Sequence, residues 1–203
     1  MVNTKNQLVK SFDKVTNKDI KWIKIKGHIK SNSSNVISSN NILGKNDYFI
    51  TGLNNIVIPE NDASQTLLNF YGAELISSND VFNLNYQKKL PLFHVSIGSD
   101  YVNGYLLKEN YGDGFYIEKH DTPHYHQPLD ENSNGFLILG KFIDDYLYLS
   151  KFKIPFGKAI YTPANIYHND AFLIGNYNVI YTRTPNYSTL IFKNLQGQIT
   201  QVK

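Results

Sequence analysis

Histidines are the residues of this chain with the clearest capacity for chemistry, and they are unevenly spread. Three of the six histidines, His120, His124 and His126, fall within seven residues. A single residue separates His124 from His126, so on a β-strand both imidazoles project from one face, about 7 Å apart at the backbone. Two imidazoles placed in this way can converge on one metal ion, although two histidines spaced like this, with no further ligand, are more often surface or core residues of a strand than a metal site.

Two more residues are spaced to complete such a site. Glu131 follows after a short segment containing Pro128, and a turn there would return its carboxylate toward the histidine pair. His168 follows a second proline-containing turn farther along the chain. Three neutral imidazole nitrogens and one carboxylate oxygen suit Fe, Mn, Ni, Cu or Zn and leave positions for water or substrate.

Composition excludes several other kinds of site. The chain has no cysteine, so it has no disulfide, thiolate nucleophile or cysteine-ligated metal. Its net charge is only +3 and Arg183 is its single arginine, so we do not expect it to bind nucleic acid. No apolar stretch has the length of a signal peptide or a membrane span, and we therefore expect a cytoplasmic protein without membrane contact.

The elements that position these residues are predicted to be β-strands. Aromatic residues make up 14% of the chain, and short apolar runs alternate with Gly, Asn, Asp and Pro. This cadence predicts an all-β, antiparallel sandwich or barrel. The predicted strands include 47–51, 55–58, 81–86, 92–98, 101–107, 114–120, 136–143, 146–153, 158–162, 171–183 and 187–193.

Helix is predicted at only two places. Leu8, Phe12 and Val15 have helical spacing, which predicts a short N-terminal helix over 5–16, and 62–70 is a weaker candidate. The Ser- and Asn-rich segment 31–41 is predicted to be a loop. We divide the chain into an N-terminal extension packed on the core, 1–60, and a barrel domain, 61–203.

Two stretches of the sequence carry a family resemblance. The segment from Gly157 through Pro163 to His168 resembles the second cupin motif, G-x5-P-x-G-x2-H-x3-N. The segment containing His124, His126 and Glu131 resembles the first, G-x5-H-x-H-x(3,4)-E-x6-G. The resemblance covers about 110–185 and implies the antiparallel cupin barrel, a jelly roll or double-stranded β-helix. It also implies that one divalent metal is held by His124, His126, Glu131 and His168.

The chain departs from both motifs at identifiable positions. Gly140 lies eight residues beyond Glu131 instead of six, so Asp130 competes for the carboxylate position, and alignment back from Gly140 would place Ser133 there. In the second motif, Asn165 stands in place of a glycine. This substitution is mild, because Asn is the residue other than glycine that best tolerates a left-handed backbone. The first motif has Glu118 in place of its leading glycine, and the second has Phe172 in place of its final asparagine, with Asn169 and Asp170 just before it.

Two neighbouring residues are candidates for catalysis. If 116–126 is one extended strand, Glu118 and His120 share a face with the two ligand histidines. Glu118 is then a candidate acid or base, and His120 a substrate-binding group or proton shuttle. The alternative for His120 is a residue that orients a ligand, or a buried histidine paired with a carboxylate. His94, on a predicted strand, faces either the barrel interior or water.

Three functions remain open at this point. The first is a metal-dependent enzyme, of oxygenase (dioxygenase-like) or isomerase type, acting on a small organic molecule. The second is a non-catalytic module that binds or senses a small molecule, and the third is a metal with a purely structural role. Because cupin barrels commonly pair at their edges, we also expect a homodimer, with 81–107 supplying the interface.

Overall fold

The chain folds almost entirely as β-structure, in agreement with the all-β prediction. The structure is a computed structural model that describes residues 8–10, 20–31, 46–77, 79–82, 86, 89–109, 111–182 and 184–203. Its strands are β1 (Leu8–Lys10), β2 (Lys21–Lys30), β3 (Asn46–Thr51), β4 (Asn55–Ile56), β5 (Glu60–Asp62), β6 (Glu74–Ser77), β7 (Leu92–Ile97), β8 (Tyr116–His120), β9 (His124–Pro128), β10 (Asn134–Gly135), β11 (Leu137–Ile143), β12 (Tyr146–Lys153), β13 (Lys158–Thr162), β14 (Tyr167–Asn169), β15 (Leu173–Ile180), β16 (Tyr187–Lys193) and β17 (Gln201–Val202). Helix α1 spans Gln65–Asn69, and a π-helix spans Val102–Leu106.

Seven strands close into a barrel. Their order is β2-β3-β16-β8-β14-β11-β12, and β12 pairs back onto β2 to complete the ring. Alternation on β2 explains how the barrel is filled, because Ile23 and Ile25 are buried in its core while Lys26 is exposed. The other fully buried members of this core include Ile56, Phe115, Leu147, Leu149 and Phe192.

A second sheet of six strands forms a half-barrel against the first. Its order is β10-β15-β9-β13-β6, with β7 paired to β15. Leu137, Leu139 and Phe152 on the outer side of the closed barrel pack with Ile160 and Leu173 of the half-barrel, forming a second core. The strands β8, β14, β11 and β12 therefore have packed side chains on both faces, and the space between the two sheets is where the histidines lie.

Several local predictions are confirmed and others are wrong. Helix α1 lies inside the predicted 62–70 segment, and β7 and β16 coincide closely with predicted strands. The predicted strand 101–107 contains a π-helix instead. The predicted helix 5–16 is wrong at Leu8–Lys10, which form β1 paired with β2, and the rest of that helix lies outside the described residues.

Strand pairing links the two ends of the chain. Strands β2 and β3, which lie in the predicted N-terminal extension, pair with β12 and β16 of the predicted barrel domain. Most strand pairs are antiparallel as predicted, and β5 with β12, β3 with β16 and β4 with β17 are parallel. In the described part of the chain, neither helix has the length and apolar character needed to cross a membrane.

Candidate metal centre

The candidate site lies between the inner faces of the two sheets. The segment 116–126 is not one extended strand: β8 belongs to the closed barrel and β9 to the half-barrel, with a turn at 121–123 between them. Residues of β8 and β9 nevertheless meet, because the two sheets face each other. His168 of β14 is the register partner of Glu118 of β8, which places both side chains on the face that looks toward β9.

Three histidines meet at this point, and we call His120, His124 and His168 the histidine triad. The ring of His124 lies 4.3 Å from that of His120 and 4.6 Å from that of His168, measured between ring centroids. The side chains are 8%, 7% and 1% exposed, in the order His120, His124, His168. One nitrogen from each ring lies within 4.8 Å of the other two, a spacing that could hold a metal ion.

The hydrogen bonds of the triad leave one nitrogen of each ring unused. His168 Nδ1 donates to the Ile166 carbonyl at 2.9 Å, so its Nε2 carries the lone pair, and no described group bonds to that nitrogen. His120 Nδ1 is bonded to the Thr122 hydroxyl at 2.9 Å, and its Nε2 is likewise buried without a partner. His124 Nδ1 also lacks one. Buried unpartnered nitrogens are costly, and a metal ion would satisfy them, so these residues fit a metal.

Burial also keeps the triad in the form that binds metals. Desolvation, reinforced by the neighbouring His120, lowers the pKa of His168 to about 4. Burial, reinforced by His168 and His126, holds the pKa of His124 well below its ordinary value. The pKa of His120 is lowered for the same reason of burial. All three imidazoles are therefore neutral near pH 7, as metal ligands must be.

A second group of possible ligands shares one residue with the triad. His124, His126 and Asp170 also bring donor atoms within 4.8 Å of one another. In this group, His126 Nε2 and Asp170 Oδ2 already form a hydrogen bond of 3.2 Å. Burial acts to raise the pKa of Asp170, but that hydrogen bond and the adjacent histidines hold it well below the usual value. This hydrogen bond occupies His126 Nε2, while His126 Nδ1 is buried without a partner among the described residues. The triad, in which all three rings have such a nitrogen, therefore has the greater need of an ion.

Glu118, the predicted acid or base, lies beside the triad. Its Oε1 is 3.9 Å from His168 Nε2, the nitrogen without a hydrogen-bond partner. Burial and the negative charge of Asp170 raise the pKa of Glu118 to about 8. Its carboxyl group is therefore mostly protonated at neutral pH in the metal-free protein, and it can donate or accept a proton there.

The predicted ligand Glu131 and its competitor Asp130 lie on a turn away from the histidines. Glu131 is exposed and belongs to neither group of possible ligands found among the described residues. Asp130 accepts hydrogen bonds from the backbone of Asn132 and from the side chain of Asn176, which stabilise the turn. The carboxylates that accompany the histidines are instead Glu118 and Asp170. His94 is exposed on β7.

The placements of the other predicted residues follow from which strands face each other. His126 was predicted as a ligand and is paired with Asp170, whereas His120 was predicted as a catalytic group and belongs to the triad. Sequence reasoning did not select Asp170. Its one signal was its position two residues after His168, where alternation places it on the same face of the sheet.

The turn that precedes His168 has the backbone that the second motif predicts. Asn165, in this turn, has a φ of 66° in the left-handed region, and so does Gly157 in the preceding turn before β13, with a φ of 78°. The Asn165 N–H donates to the His120 carbonyl at 2.7 Å, so this turn connects the strand of His120 with that of His168. No model of a known protein family matches the chain, and no curated protein is significantly similar to it in sequence.

Proposed function

We propose that this chain is a metal-dependent enzyme of cupin type that acts on a small organic molecule. One observation carries the proposal: the triad brings together three buried imidazoles, each with a ring nitrogen that has no hydrogen-bond partner in the described part of the chain. Two members of the triad, His124 and His168, come from the two segments that resemble the cupin motifs. His120 then takes a ligand position that the motifs do not assign to it.

The residues around the triad support catalysis in addition to metal binding. A bound divalent ion would supply a Lewis acid with open positions for substrate oxygen atoms. Glu118 can hold or release a proton beside His168, because burial and Asp170 raise its pKa to about 8. The hydrogen bond between buried His126 and partly exposed Asp170 orients both side chains beside His124. A proton carrier next to a metal suits an isomerase, and open metal positions suit an oxygenase.

Elemental analysis of the purified protein tests the metal site directly. We expect about one equivalent of Fe, Mn, Ni, Cu or Zn per chain, and we expect at least a tenfold loss of metal affinity in His120→Ala, His124→Ala and His168→Ala. His28→Ala and His94→Ala are matched controls, because both histidines are exposed, and they should retain the metal. Equal metal content in all five variants would contradict the proposal.

Oxygen consumption separates the two reaction types. An oxygenase loaded with Fe or Cu consumes O₂ when substrate is present, whereas an isomerase loaded with Mn or Zn turns over without O₂.

Glu118→Gln should abolish isomerase activity while leaving the metal content intact, because the amide cannot carry the proton. The deep burial of the triad, at most 8% exposed, favours a second candidate, a metal with a purely structural role. That candidate predicts bound metal without turnover under either condition, whereas ligand binding without turnover would indicate a non-catalytic binding module.

A further inference from the structure

Beside the triad, the two sheets enclose a set of side chains that neither motif contains. Thr189 on β16 is the register partner of Glu118, so its side chain lies on the face that looks toward the half-barrel. On the opposite sheet, the ring of Tyr181, just after β15, lies 6.2 Å from that of His124. Phe93 on β7 is the register partner of Val179, two residues before Tyr181 on β15. In strand order β16 adjoins β8 and β15 adjoins β9, so Thr189 and Tyr181 lie beside the strands that carry His120 and His124.

The hydroxyl of Thr189 is buried without a partner. Its side chain is 1% exposed, and its Oγ1 makes no hydrogen bond with any described residue. Leaving a buried hydroxyl unsatisfied destabilises the fold, and native proteins keep such groups mainly where a ligand or water supplies the partner. Since Thr189 stands in register with Glu118, a ligand oxygen atom next to the triad is a suitable partner.

Partly exposed aromatic side chains lie on the strands beside the triad. The rings of Phe93 and Tyr181 stack with centroids 4.7 Å apart, and the side chains are 38% and 37% exposed. Tyr187, the register partner of His120, is 36% exposed on β16. Exposed aromatic faces at the entrance to a polar interior bind the flat apolar face of a ring.

The charges around the triad favour an uncharged ligand. Glu118 and Asp170 both face the site, and within the described ranges no lysine or arginine forms an ion pair with either of them. A divalent cation in the triad would be balanced by these two carboxylates. An anionic ligand would then add net negative charge in a buried space, whereas an uncharged ligand would not.

We propose that Thr189, Phe93 and Tyr181 form a subsite for an uncharged ring molecule that carries hydroxyl groups. One hydroxyl bonds to Thr189, and the face of the ring packs against the aromatic pair. The subsite rests on the proposed metal-dependent function, because it gives that metal site its substrate class. Both phenols and sugars have this chemistry, and the experiment distinguishes them.

Isothermal titration calorimetry of the zinc-loaded protein with three ring molecules tests the subsite. Resorcinol represents the phenols, methyl β-glucopyranoside the sugars, and benzoate an anionic ring. We expect one of the two uncharged molecules to bind more tightly than benzoate. Thr189→Val, which removes the hydroxyl at nearly constant volume, should weaken that binding about tenfold, as should Phe93→Ala.

Two control variants match these substitutions. Thr200→Val removes a buried hydroxyl that is bonded to the Leu53 carbonyl and not to the site, and Phe156→Ala removes an exposed phenylalanine on a turn. Both should leave ring binding unchanged. Tighter binding of benzoate, no binding of either uncharged ring, or equal losses in Thr200→Val and Thr189→Val would overturn the subsite.

Zinc content, measured separately, distinguishes failure of the subsite from failure of the metal site. Protein that holds zinc in the triad but binds neither uncharged ring retains the proposed metal site and loses the subsite. If the protein binds neither zinc nor Fe, Mn, Ni or Cu, the proposed function fails. The same titrations on that metal-free protein then decide the subsite, which stands only if ring binding occurs and depends on Thr189.

Discussion

The three imidazoles of the triad are neutral because they are buried, and this lowers the stability of the folded protein at acidic pH. The unfolded chain takes up a proton on each histidine near the ordinary pKa of 6.5, whereas folded His168 does so only near 4. Between these two values the unfolded state binds more protons than the folded state. The folded state therefore loses stability as the pH falls through that window, and retains it above 6.5.

We expect the metal-free protein to lose stability between pH 6.5 and pH 4. The contribution of His168 to this loss is roughly 3 kcal/mol, since one pKa unit corresponds to about 1.4 kcal/mol. Urea denaturation of chelator-treated protein at several pH values measures it. His168→Asn, which cannot be protonated, should flatten this part of the curve, and an unchanged acid slope in that variant would contradict the assignment.

Burial of Glu118 has the opposite effect, because it lowers the stability of the folded protein as the pH rises. Its pKa is about 8 in the folded protein and ordinarily 4.5, so between these values the folded state binds more protons. Its contribution to stability is present below pH 4.5 and is lost as the pH rises through 8. With the histidines, this predicts a stability maximum near pH 6.5 in the metal-free protein. Glu118→Gln should remove the decline from pH 6.5 to 8, measured by the same denaturation series.

At the scale of the elements, the turn between β13 and β14 determines how the triad is assembled. Asn165 adopts a left-handed φ of 66°, and its N–H donates to the carbonyl of His120. A β-branched residue pays a steric cost of about 1–2 kcal/mol in that conformation, and glycine pays none. We therefore expect Asn165→Val to lower both the stability and the metal affinity, measured by thermal unfolding and zinc titration.

Asn165→Gly is the matched control, because glycine occupies this position in the motif that the segment resembles. It should retain the metal affinity and change the free energy of unfolding by less than about 1 kcal/mol. Equal losses in both variants would mean that the asparagine side chain, and not the left-handed backbone, holds the turn.

The segment 101–107 shows why local patterns failed for one element. Its aromatic and aliphatic residues favour a strand, yet Val102–Leu106 form a π-helix. Leu106 is 1% exposed and packs with Tyr116, Ala171 and Ile191, which belong to three different parts of the chain. This packing is a long-range effect, and it overrides the strand preference of the segment.

For the whole molecule, β7 forms one edge of the half-barrel sheet, and β6 lies at the opposite end of that sheet. Among the described strands, β7 pairs only with β15, and its first residue, Leu92, is 54% exposed. Unpaired edges promote association, so we propose that two copies pair along β7. Light scattering after size exclusion should then give twice the chain mass of 23.3 kDa.

A charge on this edge should prevent the association. Leu92→Lys is expected to yield a monomer, because a lysine on an edge strand disfavours pairing. Ile29→Lys is the matched control: Ile29 is 50% exposed on β2 in the other sheet, and the substitution should leave the dimer intact. A monomeric mass for the unmodified protein would refute the dimer.

What the sequence determined by itself is local. Alternation of apolar residues identified most of the strands, and the spacing of His124 and His126 placed both on one face of β9. The motif around Asn165 identified a left-handed turn correctly. These features depend on residues near one another along the chain, so their physical causes are visible in the sequence.

Only the tertiary structure decided which side chains meet. His120 joined the triad because β8 and β9 lie in different sheets that face each other, and Asp170, not Glu131, is the carboxylate paired with His126. Both outcomes depend on which sheet each strand joins and on the register in which it pairs. Sheet membership and register are set by pairing between strands distant in sequence, which neither spacing nor composition encodes locally.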